Sequence, residues 1–218
     1  MGRPASARAT VAQQRVLGVD PGLTRCGLAC VDIDARRRAG LVQAGVVRTP
    51  PSQSPELRLL AIAESLEDWI ARLGPTAVSV ERVFAQDNLR SVISVAQVMG
   101  VVMVAGARAG LEVAQHTPSE AKAAVTGSGT AGKSQVQTMV QRILGLAEPP
   151  RPADAADAVA QAICHGWRGG GTGVDGSTEM VSAGGSVRAS ARTPAQQRWA
   201  AAQAAARRTG AVDPRYRR

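Results

Sequence analysis

Two short apolar runs, each ending in a carboxylate, restrict the fold of this chain more than any other feature. The first, RVLGVD, covers residues 15–20, and the second, TAVSVE, covers residues 76–81. Runs of this kind are typical of strands buried on both faces of a sheet. If the two strands are parallel neighbours, Asp20 and Glu81 lie about 5 Å apart at the edge where α/β proteins bind ligands. The alternative for Asp20 is simple turn chemistry, because Pro21-Gly22 follows it.

Further strands and helices are predicted around these two runs. Residues 26–34 and 39–47 have the pattern of two more strands in a meander, and residues 111–116 that of a fifth strand. The capping box Thr117-Pro118-Ser119-Glu120 opens a short helix. Helical spacing of apolar residues and capping signals predict further helices after Ser54 to residue 73 and over 89–109, 133–145 and 153–167.

The charge of the chain favours a polyanionic partner. Its 218 residues carry a formal net charge of +9, and the sequence pI is about 11.0. Such a balance favours nucleic acid over an acidic small molecule, although a basic solubilising surface is the alternative. Of the 26 basic residues, the two lysines are Lys122 and Lys133, and Phe84 is the single phenylalanine. Residue types this rare are candidates for specific roles.

Composition divides the chain into three parts. We expect a flexible N-terminal extension over residues 1–14, a folded domain over 15–167 and a basic low-complexity tail over 168–218. The tail holds nine arginines against three acids, and it contains an Ala-rich segment near 194–208 that could form a helix. The three cysteines form no CxxC pair, and the chain has neither a signal peptide nor an apolar run of membrane-spanning length. These features predict a cytoplasmic protein with reduced thiols.

The stretch GSGTAGKS, residues 127–134, fits the pattern of a nucleotide-binding phosphate loop. Such a loop leaves a buried strand, whereas the preceding residues, TPSEAKAAVT, have a helical pattern. No apolar strand ending in Asp follows to hold magnesium, so the sequence disfavours an ATPase and predicts no nucleotide ligand. Two interpretations stay open. The stretch is either a glycine-rich connection between helices, or a grip in which backbone N–H groups and Lys133 hold a nucleic-acid phosphate.

A second acidic pair lies in the segment PADAADAVAQAICH. Asp154 and Asp157 are three residues apart on one predicted helix and therefore share a face. Asp154 alone could be an N-cap, but Asp157 lies among small apolar residues, where a carboxylate requires a cation. Clustered carboxylates repel one another unless metal compensates them, and two Mg²⁺ ions about 4 Å apart suit phosphodiester cleavage. His116 and His165 are secondary candidates for a direct role.

Four segments, in order and spacing, resemble the RuvC-type Holliday junction resolvases, which are crossover junction endodeoxyribonucleases. The segments are VLGVDPG, ERVF, TPSEAKAAVTGSGTAGKSQVQTMV and ADAADAVAQAICH, and the resemblance covers about residues 15–167. It implies a ribonuclease H-like α/β fold with a five-stranded mixed sheet flanked by helices. It also implies a homodimer that binds four-way DNA junctions in homologous recombination and DNA repair. Each subunit would make one Mg²⁺-dependent nick, and the paired symmetric cuts would leave 5′-phosphate and 3′-hydroxyl ends.

The resemblance also implies roles for particular residues. The family's catalytic and metal-binding acids correspond to Asp20, Glu81, Asp154 and Asp157. Its lysines that contact phosphates near the scissile bond correspond to Lys122 and Lys133, and its loop phenylalanine, which interacts with bases at the opened crossover, corresponds to Phe84. The ions implied are two Mg²⁺ per active site, with Mn²⁺ as a substitute. The further partner implied is a branch-migration motor of the RuvA/RuvB type, and the location implied is the bacterial cytoplasm, in association with the nucleoid.

The chain departs from the family pattern at two places. Ala85 follows Phe84 where a bulky pair is usual, and QVMG at residues 97–100 replaces a frequent QARG, so that arginine has no counterpart here. Two other functions stay open: a ribonuclease H-like nuclease acting on RNA or simple duplex, and a junction-binding module without catalysis. A pure binder gains nothing from four anions facing phosphate, which argues against the second. We expect the dimer interface on the helix over residues 89–109.

Overall fold

A computed structural model of the chain describes residues 14–82 and 89–168. Within these ranges the strands are Gln14–Asp20 (β1), Arg25–Ile33 (β2), Ala39–Arg48 (β3), Ala77–Glu81 (β4) and Glu112–His116 (β5). The helices are Pro55–Leu73 (α1), Leu89–Arg108 (α2), Pro118–Thr126 (α3), Lys133–Leu144 (α4) and Ala153–Arg168 (α5). Each of these elements was predicted from the sequence, and the predicted ends agree to within about one residue.

The strands form one mixed sheet in the order β3-β2-β1-β4-β5. Strands β1, β2 and β3 are an antiparallel meander, whereas β4 runs parallel to β1, and β5 runs parallel to β4. The five-stranded mixed sheet flanked by helices is therefore confirmed. Val19 of β1 pairs with Val80 of β4, so the last residues of the two strands, Asp20 and Glu81, lie at the same level at the edge of the sheet.

Helices cover both faces of the sheet, and strand alternation decides which face the acids share. Helices α1 and α2 pack on the face that carries Leu17 and Val19 of β1. Helices α3, α4 and α5 pack on the opposite face, which carries Val16. Because side chains alternate along a strand, Asp20 points to the same face as Val16 and Gly18. The acid that ends β1 therefore points toward α5.

Two glycines allow α5 to lie directly on the sheet. A Cβ atom at Gly18 would lie 2.0 Å from the carbonyl oxygen of Ala158 and 2.7 Å from the backbone nitrogen of Ala162. A Cβ atom at Gly27 of β2 would lie 2.1 Å from the carbonyl oxygen of Asp154. Real side chains never approach backbone atoms this closely, so only glycine fits at these two positions. The first turn of α5 is thereby held against the carboxyl edge of β1.

The stretch GSGTAGKS connects two helices, as its context predicted. Helix α3 ends at Thr126 and α4 begins at Lys133, so no strand precedes the loop as a phosphate loop requires. The capping box at the start of α3 is also confirmed: the Thr117 hydroxyl accepts from the Glu120 backbone N–H, and the Glu120 carboxylate accepts from the Thr117 backbone N–H. The three cysteines are free and buried.

Several predictions fall on parts of the chain that the structure does not describe. Phe84 lies outside the described residues, as do residues 1–13 and 169–218, including the helix expected near 194–208. The predicted boundaries of the N-terminal extension and of the tail therefore stay predictions. Among the helices of the described ranges, none has the length and apolar character that crossing a membrane requires.

Candidate active site

The carboxylates predicted to form the active site line one cavity of about 230 Å³ at the carboxyl edge of β1 and β4. Two acids are the last residues of the parallel strands β1 and β4, and two lie in the first turns of α5. The lysines at α3 and at the start of α4 complete the wall. These lining residues are Asp20, Glu81, Asp154, Asp157, Lys122 and Lys133. Six of the seven predicted site residues thus lie together, and the seventh, Phe84, is outside the described residues.

The cavity is electrostatically unfavourable for its own anions. Burial raises the pKa of Asp20 to about 7, and the charges of Glu81, Asp157 and Asp154 act in the same direction. The pKa of Glu81 is raised by burial and then by Asp157, and the pKa of Asp157 is raised mainly by burial. The charge of Lys133 lowers all three pKa values, but it does not offset the burial. Carboxylates crowded in this way are stabilised in the charged form by a bound cation.

The ligand atoms that the cavity offers fit a hard divalent cation. They are carboxylate oxygens, the preferred ligands of Mg²⁺. Gln161, which lines the same cavity, has a buried Oε1 atom without a hydrogen-bond partner among the described residues. As the side chains stand, however, no three His, Cys, Asp or Glu residues of the described ranges form a group that could hold a metal ion. Binding of a metal ion in the cavity would require the carboxylate oxygens to converge by side-chain rotation.

Two polar contacts at the cavity were not predicted from the sequence. Arg25, at the start of β2, donates from Nε to the Oδ2 atom of Asp154 at 2.7 Å, and its Nη2 atom forms an ion pair with the same oxygen at 2.5 Å. The interpretation of Asp154 as an N-cap is wrong, because α5 begins at Ala153 and the Asp154 carboxylate pairs with Arg25. No sequence pattern signals this ion pair, because it depends on how β2 and α5 pack.

The second missed residue is Gln161, which is fully buried on α5. Its Nε2 atom donates to Oε2 of Glu81 at 3.4 Å, and this contact lowers the pKa of Glu81. Its backbone carbonyl accepts from the Ser79 hydroxyl at 3.0 Å. The sequence does carry a signal for Gln161: it is a polar residue among alanines and valines, one helical turn after Asp157. Gln161 therefore orients one of the four acids.

The two histidines do not belong to the cavity. The rings of His116 and His165 lie 5.6 Å apart, with Gln14 in hydrogen-bonding distance of His165. Burial and the neighbouring His165 lower the pKa of His116 to about 4, and burial also lowers the pKa of His165. The two neutral imidazole rings therefore pack against each other at the end of β5. Their position gives no support for a direct role in catalysis.

Comparison with known proteins gives consistent matches. The family model described as crossover junction endodeoxyribonuclease RuvC matches residues 16–165. A protein of that name from Leifsonia xyli subsp. xyli is 54% identical over 205 residues, covering 94% of this chain and 99% of the relative.

Two solved structures extend these matches to the fold. The Thermus thermophilus RuvC structure matches with a TM-score of 0.65 and 36% identity, over 70% of this chain and 93% of that one. T. thermophilus RuvC in complex with a Holliday junction substrate matches with a TM-score of 0.68 and 36% identity, over 71% and 94%. These matches confirm the ribonuclease H-like fold. The agreement of sequence, sheet order and overall structure leads to one conclusion: the chain belongs to the RuvC family of crossover junction endodeoxyribonucleases.

Proposed function

We propose that this chain resolves four-way (Holliday) DNA junctions by a pair of symmetric nicks, in homologous recombination and DNA repair. One observation carries the proposal: carboxylates from β1, β4 and α5 line one cavity together with two lysines. The family membership supports the choice of substrate, because a solved relative at 36% identity is described in complex with a Holliday junction substrate. Net charge supports it as well, since the chain carries +9.

The acids of the cavity are proposed to hold two Mg²⁺ ions, for which Mn²⁺ can substitute. Asp20 and Glu81 offer oxygens from the sheet edge, and Asp154 and Asp157 offer oxygens from the first turns of α5. Ions bound there would activate a water for attack on the phosphodiester and stabilise the leaving 3′ oxygen. Gln161 holds the Glu81 carboxylate through its Nε2 hydrogen bond, and so fixes one wall of the site.

The lysines and the loop phenylalanine are proposed to handle the DNA itself. Lys122 and Lys133 line the same cavity as the acids, where each can contact a phosphate beside the scissile bond. Lys133 is also the first residue of α4, so its ammonium and the free N–H groups of that helix end act on the same anion. Phe84 is proposed to stack on bases unpaired at the crossover.

Symmetric cutting requires two active sites, so we propose that the chain works as a homodimer. We expect helix α2 to form the interface. Its apolar side chains Ile93, Met103 and Val104 are each about half exposed. Exposed apolar residues grouped on one helix are typical of interaction surfaces. A branch-migration motor of the RuvA/RuvB type is the further proposed partner, and the bacterial nucleoid in the cytoplasm the proposed location. The bacterial origin of the relatives supports both.

The test is a cleavage assay with three labelled substrates. The full chain is incubated with a synthetic four-way junction, a linear duplex of matched sequence and an RNA–DNA hybrid, each with Mg²⁺ and with EDTA. We expect paired cuts at symmetric positions of the junction with Mg²⁺, and nicked products that DNA ligase reseals. Asp157→Asn should lower the cleavage rate at least about a hundredfold, because it removes a metal ligand, while junction binding in Ca²⁺ is kept.

The same assay separates the alternatives. Preferential cutting of the hybrid or the linear duplex would identify a related nuclease with another substrate. Tight junction binding without cleavage under every metal condition would identify a binding module. A variant Asp157→Asn that kept a tenth or more of the normal rate would show that the cavity is not the catalytic centre.

A further inference from the structure

One of the four carboxylates of the cavity, that of Asp154, forms an ion pair with Arg25, which lies outside the cavity. Its side chain is 42% exposed, and that of Asp154 is 27% exposed. Both guanidinium contacts go to the same oxygen, Oδ2. Arg25 does not line the acidic cavity; it lines an adjoining hollow together with Thr24, Arg48, Thr49 and Pro50. Asp154 therefore lines the acidic cavity while it pairs with a residue of the other hollow.

The packing of β2 under α5 builds this ion pair into the fold. Gly27 brings the backbone of Asp154 against β2, since a Cβ atom there would lie 2.1 Å from its carbonyl oxygen. Arg25 is two residues earlier and so projects from the same face of the strand as Gly27. Arg25 also lies directly opposite Arg48 in the antiparallel pair, where like charges repel. The carboxylate of Asp154 relieves that repulsion.

We propose that Arg25 competes with divalent cations for Asp154 and so lowers the affinity of the free protein for them. This inference rests on the proposed metal-dependent function of the cavity. An oxygen that accepts a hydrogen bond from a guanidinium and pairs with its charge has less electron density to offer another cation, and the positive charge of Arg25 opposes one directly. Release of Arg25 into the adjoining hollow frees Asp154 to turn toward the other acids. Arg25 is thus a positioning residue for a proposed ligand.

The test measures Mn²⁺ binding without DNA, by the electron paramagnetic resonance signal of free Mn²⁺ in titrations of the full chain. Arg25→Leu is compared with Arg48→Leu, which removes the same charge from the opposite residue of β3 but breaks no contact with Asp154. We expect Arg25→Leu to bind Mn²⁺ about two- to fivefold more tightly than Arg48→Leu, the range expected for a partly exposed ion pair. Arg25→Gln serves as a second variant, and melting in EDTA checks that each variant is folded.

A double-mutant comparison separates the ion pair from general electrostatics. In an Asp154→Asn background, Arg25→Leu and Arg48→Leu should change the Mn²⁺ affinity equally, because there is no carboxylate for Arg25 to hold. Equal effects of the two arginine variants in the wild-type background would overturn the inference while leaving the proposed function intact. Failure of the wild-type chain to bind Mn²⁺ at all would instead contradict the metal-dependent function.

Discussion

Asp20 is the residue whose surroundings say most about the cavity. It ends a buried strand, points toward α5 and has neighbouring acids on both of the elements that it faces. Burial is the largest cause of its raised pKa of about 7, and the neighbouring acids add to it. A carboxyl group with such a pKa favours the folded state only when protonated, so its ionisation at neutral pH costs stability. A bound cation removes that cost, which links the fold of this edge to its function.

The cost of ionising Asp20 predicts a pH-dependent effect of Asp20→Asn. A carboxyl pKa raised in the folded state adds stability below the unfolded pKa, and that stability is lost as the pH rises through the folded value near 7. Asparagine does not ionise. In EDTA, the melting temperature of Asp20→Asn should therefore exceed that of the wild type most at about pH 8, and the gain should shrink toward about pH 5. Asp68→Asn, at an exposed position of α1, is the control.

Circular dichroism melts in EDTA across this range measure the difference. A gap between Asp20→Asn and wild type that stays constant with pH would contradict the assigned environment of Asp20. Saturating Mn²⁺ should reverse the order, because the wild type then gains the binding free energy of an ion that asparagine holds poorly.

At the scale of elements, the sequence predicted the strands and helices well because their signals are local. Apolar runs, the capping box at Thr117 and helical spacing are each contained in fewer than about twenty residues, within the usual length of one element. The convergence of Asp20 and Glu81 followed from two parallel strands ending at one edge. The ion pair of Arg25 with Asp154 joins residues far apart in the chain. It depends on hairpin register and helix packing, which no local pattern encodes.

The contact between α5 and the sheet is the element-level feature on which the site depends most. Gly18→Ala would place a methyl group 2.0 Å from the carbonyl oxygen of Ala158, so α5 would have to shift. We expect a loss of about 2–3 kcal/mol in the free energy of unfolding, measured in urea, and slower cleavage. Gly40→Ala on β3 is the matched control, because an added Cβ atom there meets nothing within 4 Å. Equal stabilities of the two variants would contradict the close packing of α5.

At the scale of the whole molecule, we propose that the domain over residues 15–167 folds and cuts without the tail. Its core clusters draw on β1 to β4 and on all five helices of the described residues. Removing residues 169–218 should leave a cooperative melting transition and junction cleavage at saturating protein. The eight arginines among residues 169–218 should add affinity that falls with salt. Loss of both folding and cleavage in the truncated chain would contradict this boundary.

Anomalous diffraction from crystals grown with Mn²⁺ locates bound ions without reference to activity, so it decides whether the four acids form a metal site. We expect manganese within the cavity at the edge of β1 and β4, bonded to oxygens of Asp20 and Asp157 and of at least one other of the four acids. Manganese bound only elsewhere on the molecule, with these carboxylates bearing none, would contradict this expectation.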